Sequence, residues 1–261
     1  MKLPYFEVAA FAARPFAGNP AGVCVLEEWL PDALLQSIAT ENNLAETAFI
    51  LARDGFHELR WFTPTVEMDL CGHATIASAH VLFRHLGAPG ASLRFQSPQA
   101  GELGVARDGD RLVLDFPSRP VAPCETTPDL VTALGRAPVG LYEARDYLAV
   151  FENEAEITAL RPNFALLAAL PNHGTVVTAP GNDCDFVSRF FAPAFGIDED
   201  PVTGSTHCNL IPFWAERLGK QTLFARQLSK RGGELFCELR GDRVRIGGEA
   251  ITYLTGEIEV P

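Results

Sequence analysis

No stretch of this 261-residue chain approaches the roughly 20 consecutive apolar residues that span a bilayer, so no membrane-spanning helix is expected. CxxC pairs are missing too. The six cysteines, Cys24, Cys71, Cys124, Cys184, Cys208 and Cys237, are scattered through a chain too long to need covalent staples, which fits free thiols in a reducing compartment. A basic cluster is also lacking. With 33 acidic residues against 21 basic ones and a formal net charge of -12, the chain repels phosphate backbones and anionic lipid, so neither nucleic acid nor a membrane is an expected partner. There is no compositionally biased tract, and 47% hydrophobic with 21% charged residues is the balance of a globular protein with a core. The opening residues, MKLPYFEVAAFAARPF, break their short apolar stretches with Pro4, Glu7 and Arg14. They do not read as a signal peptide, and the expected location is the cytosol.

What is present is a repeat. RWFTP at 60–64 returns as RFFAP at 189–193, and each is followed within about a dozen residues by a glycine, Gly72 or Gly204, that opens an apolar helical pattern. From those glycines a shift of 132 residues aligns Leu86, Gly87, Arg94, Ser97, GEL at 101 and GDR at 109 with Leu218, Gly219, Arg226, Ser229, GEL at 233 and GDR at 241. The pattern reads as an internal duplication. HATIASAHVLFRHLG is uncharged from Ala74 to Phe83, and a helix without a polar face is buried all round. STHCNLIPFWAERLG is similar, but Pro212 removes a backbone donor and is expected to kink or break it. Segments such as RLVLDF and RVRIGG, joined to Gly-Asp turns, read as antiparallel strands. One flat sheet cannot cover a helix on every face, so strands must curl around each one. The expected fold is therefore α+β, with two repeat-related lobes, each a mixed, mostly antiparallel barrel-like sheet around a central helix. The lobes divide at the proline-rich 116–129 segment into 1–116 and 127–261, and the last ten residues either finish the second lobe or cross back to the first.

A helix start offers unpaired N–H groups and about half a positive charge, a ready site for a carboxylate. Here Cys71-Gly72-His73 in one copy stands where Thr203-Gly204-Ser205 stands in the other. Two such starts, in lobes expected to meet face to face, point to a small anionic substrate between them. The plain reading of Asp200, Thr203 and Ser205 is helix capping, and His73 reads equally as a structural histidine. Duplication favours function, because capping has no need for the three acids of GIDEDPVTGSTHC. Glu46, in ENNLAETAFIL, precedes a strand pattern, and Thr175 holds the related position. A glutamate in a dry cleft has its proton affinity raised toward neutral pH, where it both takes and returns a proton. Its alternative is an exposed strand-edge glutamate.

These residues, together with PFAGNPAGVCVL, NNLAETAF, RWFTPTVEMDLCGHATIASAHVL, DEDPVTGSTH, PFWAERLGK and RGGEL, resemble the phenazine-biosynthesis PhzF-like isomerase family, which shares the diaminopimelate-epimerase fold. The resemblance runs from residue 15 to about 250. It implies a site in the cleft between the lobes and a cofactor-independent isomerase without a metal. Glu46 shuttles a proton between substrate carbons, while His73, Asp200 and Ser205 position the substrate and assist. Backbone around Cys71, Gly72, Thr203, Gly204 and Thr206 holds the substrate carboxylate, Asn19 and Pro20 shape a turn beside the cleft, and Asp198 and Glu199 are solvated neighbours. A homodimer fits the family.

Other readings stay open on the residues alone. A two-base racemase needs a thiol in each lobe, yet Thr203 stands opposite Cys71. A hydrolase built from Ser205, His73 and Asp200 lacks the GxSxG elbow. A metal site from His73, His80, His207 and Cys208 lacks HExxH or CxxC spacing. A binding module that keeps the fold without turnover is the remaining alternative.

Overall fold

Burial alternates along β6, where Leu93, Phe95 and Ser97 point inward and Ser92, Arg94 and Gln96 outward. The computed structural model describes residues 1–172 and 174–261. They form two compact units, 1–116 with 247–261, and 117–246.

The first unit runs β1 (Lys2–Ala10), β2 (Asn19–Leu26), α1 (Asp32–Asn42), β3 (Glu46–Arg53), β4 (Phe56–Phe62), β5 (Glu67–Met68), α2 (Gly72–Arg84), β6 (Ser92–Ser97), β7 (Gly101–Asp108) and β8 (Arg111–Pro117). The second continues with β9 (Ala122–Pro123), α3 (Pro128–Leu134), β10 (Gly140–Glu143), β11 (Tyr147–Val150), α4 (Glu154–Ala159) and α5 (Phe164–Ala168). After these come β12 (Thr175–Pro180), β13 (Phe186–Ala192), β14 (Ile197–Asp200), α6 (Gly204–Leu218), β15 (Thr222–Gln227), β16 (Gly233–Arg240) and β17 (Arg243–Gly248). A last strand, β18 (Ala250–Glu259), belongs to the first unit.

The duplication is visible in the pairing. In the first unit β1 is antiparallel to β2, β2 parallel to β3, β3 antiparallel to β4, and β4 antiparallel to β5 but parallel to β6, which is antiparallel to β7. The second unit repeats this sequence of pairings with β10 to β16. Each copy also sends its trailing strand to the front of a unit: β9 pairs with β10, and β18 pairs along β1 from Lys2↔Glu259 to Ala10↔Ala250. Sequence placed the second lobe at 127–261. The unit is 117–246, and of the two courses left open for the last residues β18 takes the one back to the first unit, where its hydrogen-bond partners lie on β1.

α2 is buried on nearly every side, with His80 alone half-buried between Gly72 and Phe83. It ends before Gly87, whose φ of 66° lets the Ala88 N–H return to the Leu82 carbonyl. Of the expected kink or break at Pro212, the break does not occur, and α6 runs through it as one helix. The carbonyl that proline orphans, that of Cys208, accepts from the Arg119 N–H at 2.9 Å instead. Asn19 and Pro20 were expected in a turn, but both lie in β2 opposite Ala10 and Ala9. The turn is made by Phe16 and Gly18, both at positive φ, and a Cβ on Gly18 would sit 2.3 Å from the Ala10 carbonyl oxygen.

Candidate active site

In the first unit, three separate sequence segments converge. Glu46 is the first residue of β3, Asn19 the first of β2, and Cys71-Gly72-His73 leads into α2. Glu46 and His73 are buried, at 8% and 5% exposure. Glu46 Oε2 lies 3.1 Å from His73 Nε2, yet neither atom has an aligned hydrogen bond. The opposite ring nitrogen, Nδ1, is 3.2 Å from the Asn19 amide nitrogen and 3.5 Å from Cys71 Sγ. Burial opposes a charged imidazole, but the Cys71 and Glu46 groups beside it outweigh burial and hold His73 well above its ordinary value. The Cys71 thiol is pushed up to about 11 by burial, with the Glu46 charge adding to it. With the Cys71 thiol held up, Glu46 Oε2 is the carboxylate oxygen that faces His73 Nε2.

In the second unit, Asp200 ends β14, and Thr203 is the N-cap of α6. The Thr203 hydroxyl donates to Asp200 Oδ2 and accepts from Gln227 Nε2 at 3.1 Å. Gln227 closes the clamp: Nε2 donates to the Asp200 carbonyl at 2.8 Å, and Oε1 accepts from the Thr203 N–H at 2.8 Å. Thr206 donates from its hydroxyl to the Thr203 carbonyl at 3.0 Å. Ser205 is half-buried, and its hydroxyl makes no hydrogen bond among the described residues.

The capping reading fails for Thr203. Neither Cys71 nor Thr203 makes a side-chain cap hydrogen bond, since Thr203 has turned its hydroxyl to Asp200. The first-turn N–H groups of both helices thus keep their capacity for an anion. Glu199 was expected to be a solvated neighbour, and the structure corrects this. It accepts a two-pronged pair from Arg189 at 2.7 and 2.9 Å, as Glu67 does from Arg60 in the other copy at 2.7 and 2.8 Å. Each pair ties the strand before the helix to the approach to the helix start.

Gln227 escaped sequence reasoning, and His207 was weighed only as a metal ligand. Gln227 gave no signal, being one glutamine in a strand. His207 is the repeat partner of Thr75: Thr75 donates from its hydroxyl to the Cys71 carbonyl at 2.6 Å, and His207 Nδ1 contacts the Thr203 carbonyl at 2.8 Å. His207 is fully buried against Phe186, and burial lowers its pKa to about 4. Between pH 6.5 and 4 an unfolded chain binds a proton there that the folded chain does not, so stability falls as pH drops through that window. The loss is on the order of 3 kcal/mol. We expect urea unfolding of His207→Gln to show a correspondingly weaker acid dependence; an unchanged dependence would remove His207 as its source.

The candidate metal residues His80 and His207 lie apart from this cluster, His80 bonding Thr252 at 2.9 Å. A grouping that the sequence did not suggest is Glu46, Cys71 and His73, whose ligand atoms lie within 4.8 Å of one another. Among the described residues no helix is long and apolar enough to cross a membrane.

The family model for phenazine biosynthesis-like proteins, PhzC-PhzF, matches residues 8–256. A Pseudomonas aeruginosa protein named an uncharacterized isomerase is 53% identical over 261 residues, covering 100% of both chains. The crystal structure of an Enterococcus faecalis PhzF-family protein superposes with a TM-score of 0.97 at 46% identity, covering 100% of both chains. A hydroxyproline epimerase from Agrobacterium vitis, at 12% identity and TM-score 0.62 over 98% of this chain and 92% of that one, shares the fold.

Proposed function

This chain belongs to the phenazine biosynthesis-like PhzC-PhzF family and is an isomerase, and from that premise we propose that Glu46 moves a proton between carbons of a small carboxylate substrate, without a cofactor. The observation that carries this reading is the buried Glu46 Oε2, which has no aligned hydrogen bond although His73 stands 3.1 Å away. An acid-base group must keep a lone pair free for the substrate proton, and a fully satisfied structural carboxylate does not.

The substrate carboxylate rests on the N–H groups at Gly72 and His73, at the start of α2. Glu46 takes a proton from an acidified C–H, the electron pair delocalises into the substrate, and the proton returns at another carbon. His73 holds the Glu46 carboxylate in place and balances its charge. Asp200, fixed by Thr203 and Gln227, and Ser205, with its open hydroxyl, bind and orient the reacting portion of the substrate. Preorganised donors of this kind lower the barrier where charge develops. The racemase alternative loses support here, because Cys71 holds its proton at neutral pH and Thr203 stands at the matching position.

The clamp gives a test separate from Glu46. Gln227→Leu leaves the Thr203 N–H and the Asp200 carbonyl without their partner, and we expect kcat to fall about tenfold, roughly 1.4 kcal/mol, with Gln227→Glu no better, since its carboxylate lacks the Nε2 donor that serves the Asp200 carbonyl. Equal activity in all three proteins would show that Asp200 does not need the clamp.

A further inference from the structure

We infer that Glu46, Cys71 and His73 form an inhibitory site for a thiophilic divalent cation, of which Zn²⁺ is the type. The three side chains offer oxygen, sulfur and nitrogen, all are buried, and their donor atoms lie within 4.8 Å of one another. Tetrahedral zinc with bonds of about 2.0–2.3 Å holds its ligands roughly 3.3–3.8 Å apart. The Glu46–His73 separation of 3.1 Å falls a little short of that spacing, so this pair moves slightly apart on binding while the cluster, whose donor atoms lie within 4.8 Å, draws in by side-chain rotation. Two donors, Glu46 Oε2 and His73 Nε2, are more than nine-tenths buried and lack an aligned partner.

The donor set selects the ion. Thiolate and imidazole favour zinc or cobalt, whereas magnesium and calcium prefer oxygen cages. A bound zinc ion deprotonates a coordinating thiol outright, so metal–sulfur and metal–nitrogen bonds form as the Cys71 thiol and the His73 imidazolium each release a proton to solvent; no electron is transferred. One carboxylate and one thiolate then balance the two positive charges of the ion. One imidazole nitrogen coordinates, and the fourth position is left to water. Bound there, the ion occupies the Glu46 lone pair and stops proton transfer. The inhibition rests on the role proposed for Glu46; the binding does not.

The test uses Co²⁺, whose tetrahedral thiolate complexes absorb in the near ultraviolet and visible, added anaerobically to the full chain without substrate. We expect one equivalent to bind with a sulfur-to-cobalt band, one Zn²⁺ to displace it, and proton release on binding. Cys71→Ser abolishes the band, Glu46→Gln weakens affinity on the order of 100-fold, and Cys208→Ser, which alters a buried thiol elsewhere, changes neither. Absence of a band at saturating Co²⁺, or its persistence in folded Cys71→Ser, overturns the site. Should Zn²⁺ bind as described while Glu46→Gln keeps wild-type turnover, the cation site stands and the catalytic reading falls.

Discussion

Glu46→Gln lowers turnover by about 10²- to 10⁴-fold, the range that one positioned acid-base group supplies, and leaves ligand affinity within a few-fold of wild type. Glutamine keeps the length and shape of the side chain but has no carboxylate lone pair basic enough to take a carbon-bound proton. Its amide also fits beside His73 Nε2, so β3 and the start of α2 should keep their places. The effect therefore falls on kcat rather than on binding, as expected for an interaction needed in the transition state. Glu46→Asp retains the carboxylate but draws it back by one methylene. It recovers only part of the loss, because the reacting atoms must meet within about 3–3.5 Å. Substrate KM rising with kcat unchanged in Glu46→Gln would instead make the residue a binding group.

Arg189→Met destabilises the protein by about 3 kcal/mol, the lower end for breaking a buried ion pair by removing one partner. Beyond its two bonds to Glu199, Arg189 Nη1 donates to the Ile157 and Leu160 carbonyls at 3.1 and 3.0 Å. Methionine fills the volume but takes the donor from the Glu199 carboxylate and the Ile157 carbonyl, while the Leu160 carbonyl keeps Arg161 Nη1 at 2.8 Å. For a chain of this size the expected fall in Tm is roughly 6–12 °C. Arg60→Met costs less, about 1–2 kcal/mol, because the third partner of Arg60 is Asp32, whose side chain is 77% exposed. Adding Glu199→Leu to Arg189→Met restores part of the loss by removing the uncompensated charge. A Tm change under about 2 °C for Arg189→Met would show that the pair is screened by solvent and holds little.

The duplication was legible because it is a local property repeated at one spacing. Gly72 and Gly204 open the two helices, Glu46 and Thr175 open matching strands, and each pair was readable from residues alone. The destination of β18 was not, since ITYLTGEIEV shows a strand but carries nothing that says which strand pairs with it. Glu199 was misread for a related reason. Arg60 and Arg189 lay inside the recognised repeat, and Glu67 and Glu199 are 132 apart like the helix glycines, but the segment between arginine and glutamate is three residues longer in the second copy. That insertion hid the shared ion pair. Thr203 looked like a cap because Thr often caps; only the presence of Asp200 and Gln227 in space turns its hydroxyl elsewhere. The Glu46–Cys71–His73 cluster was unreadable because its members come from β3 and α2, 25 residues apart, and join through the fold.

The most direct test is carbon-bound deuterium, followed by NMR, when wild type and Glu46→Gln are incubated in D₂O with a panel of small carboxylates that includes trans-2,3-dihydro-3-hydroxyanthranilate. The account predicts that wild type incorporates deuterium at carbon into an isomerised product from at least one panel member, and that Glu46→Gln binds the same compound without exchange. Equal exchange in both proteins would contradict Glu46 as the base, and tight binding by wild type with no exchange from any compound would contradict proton-transfer chemistry itself.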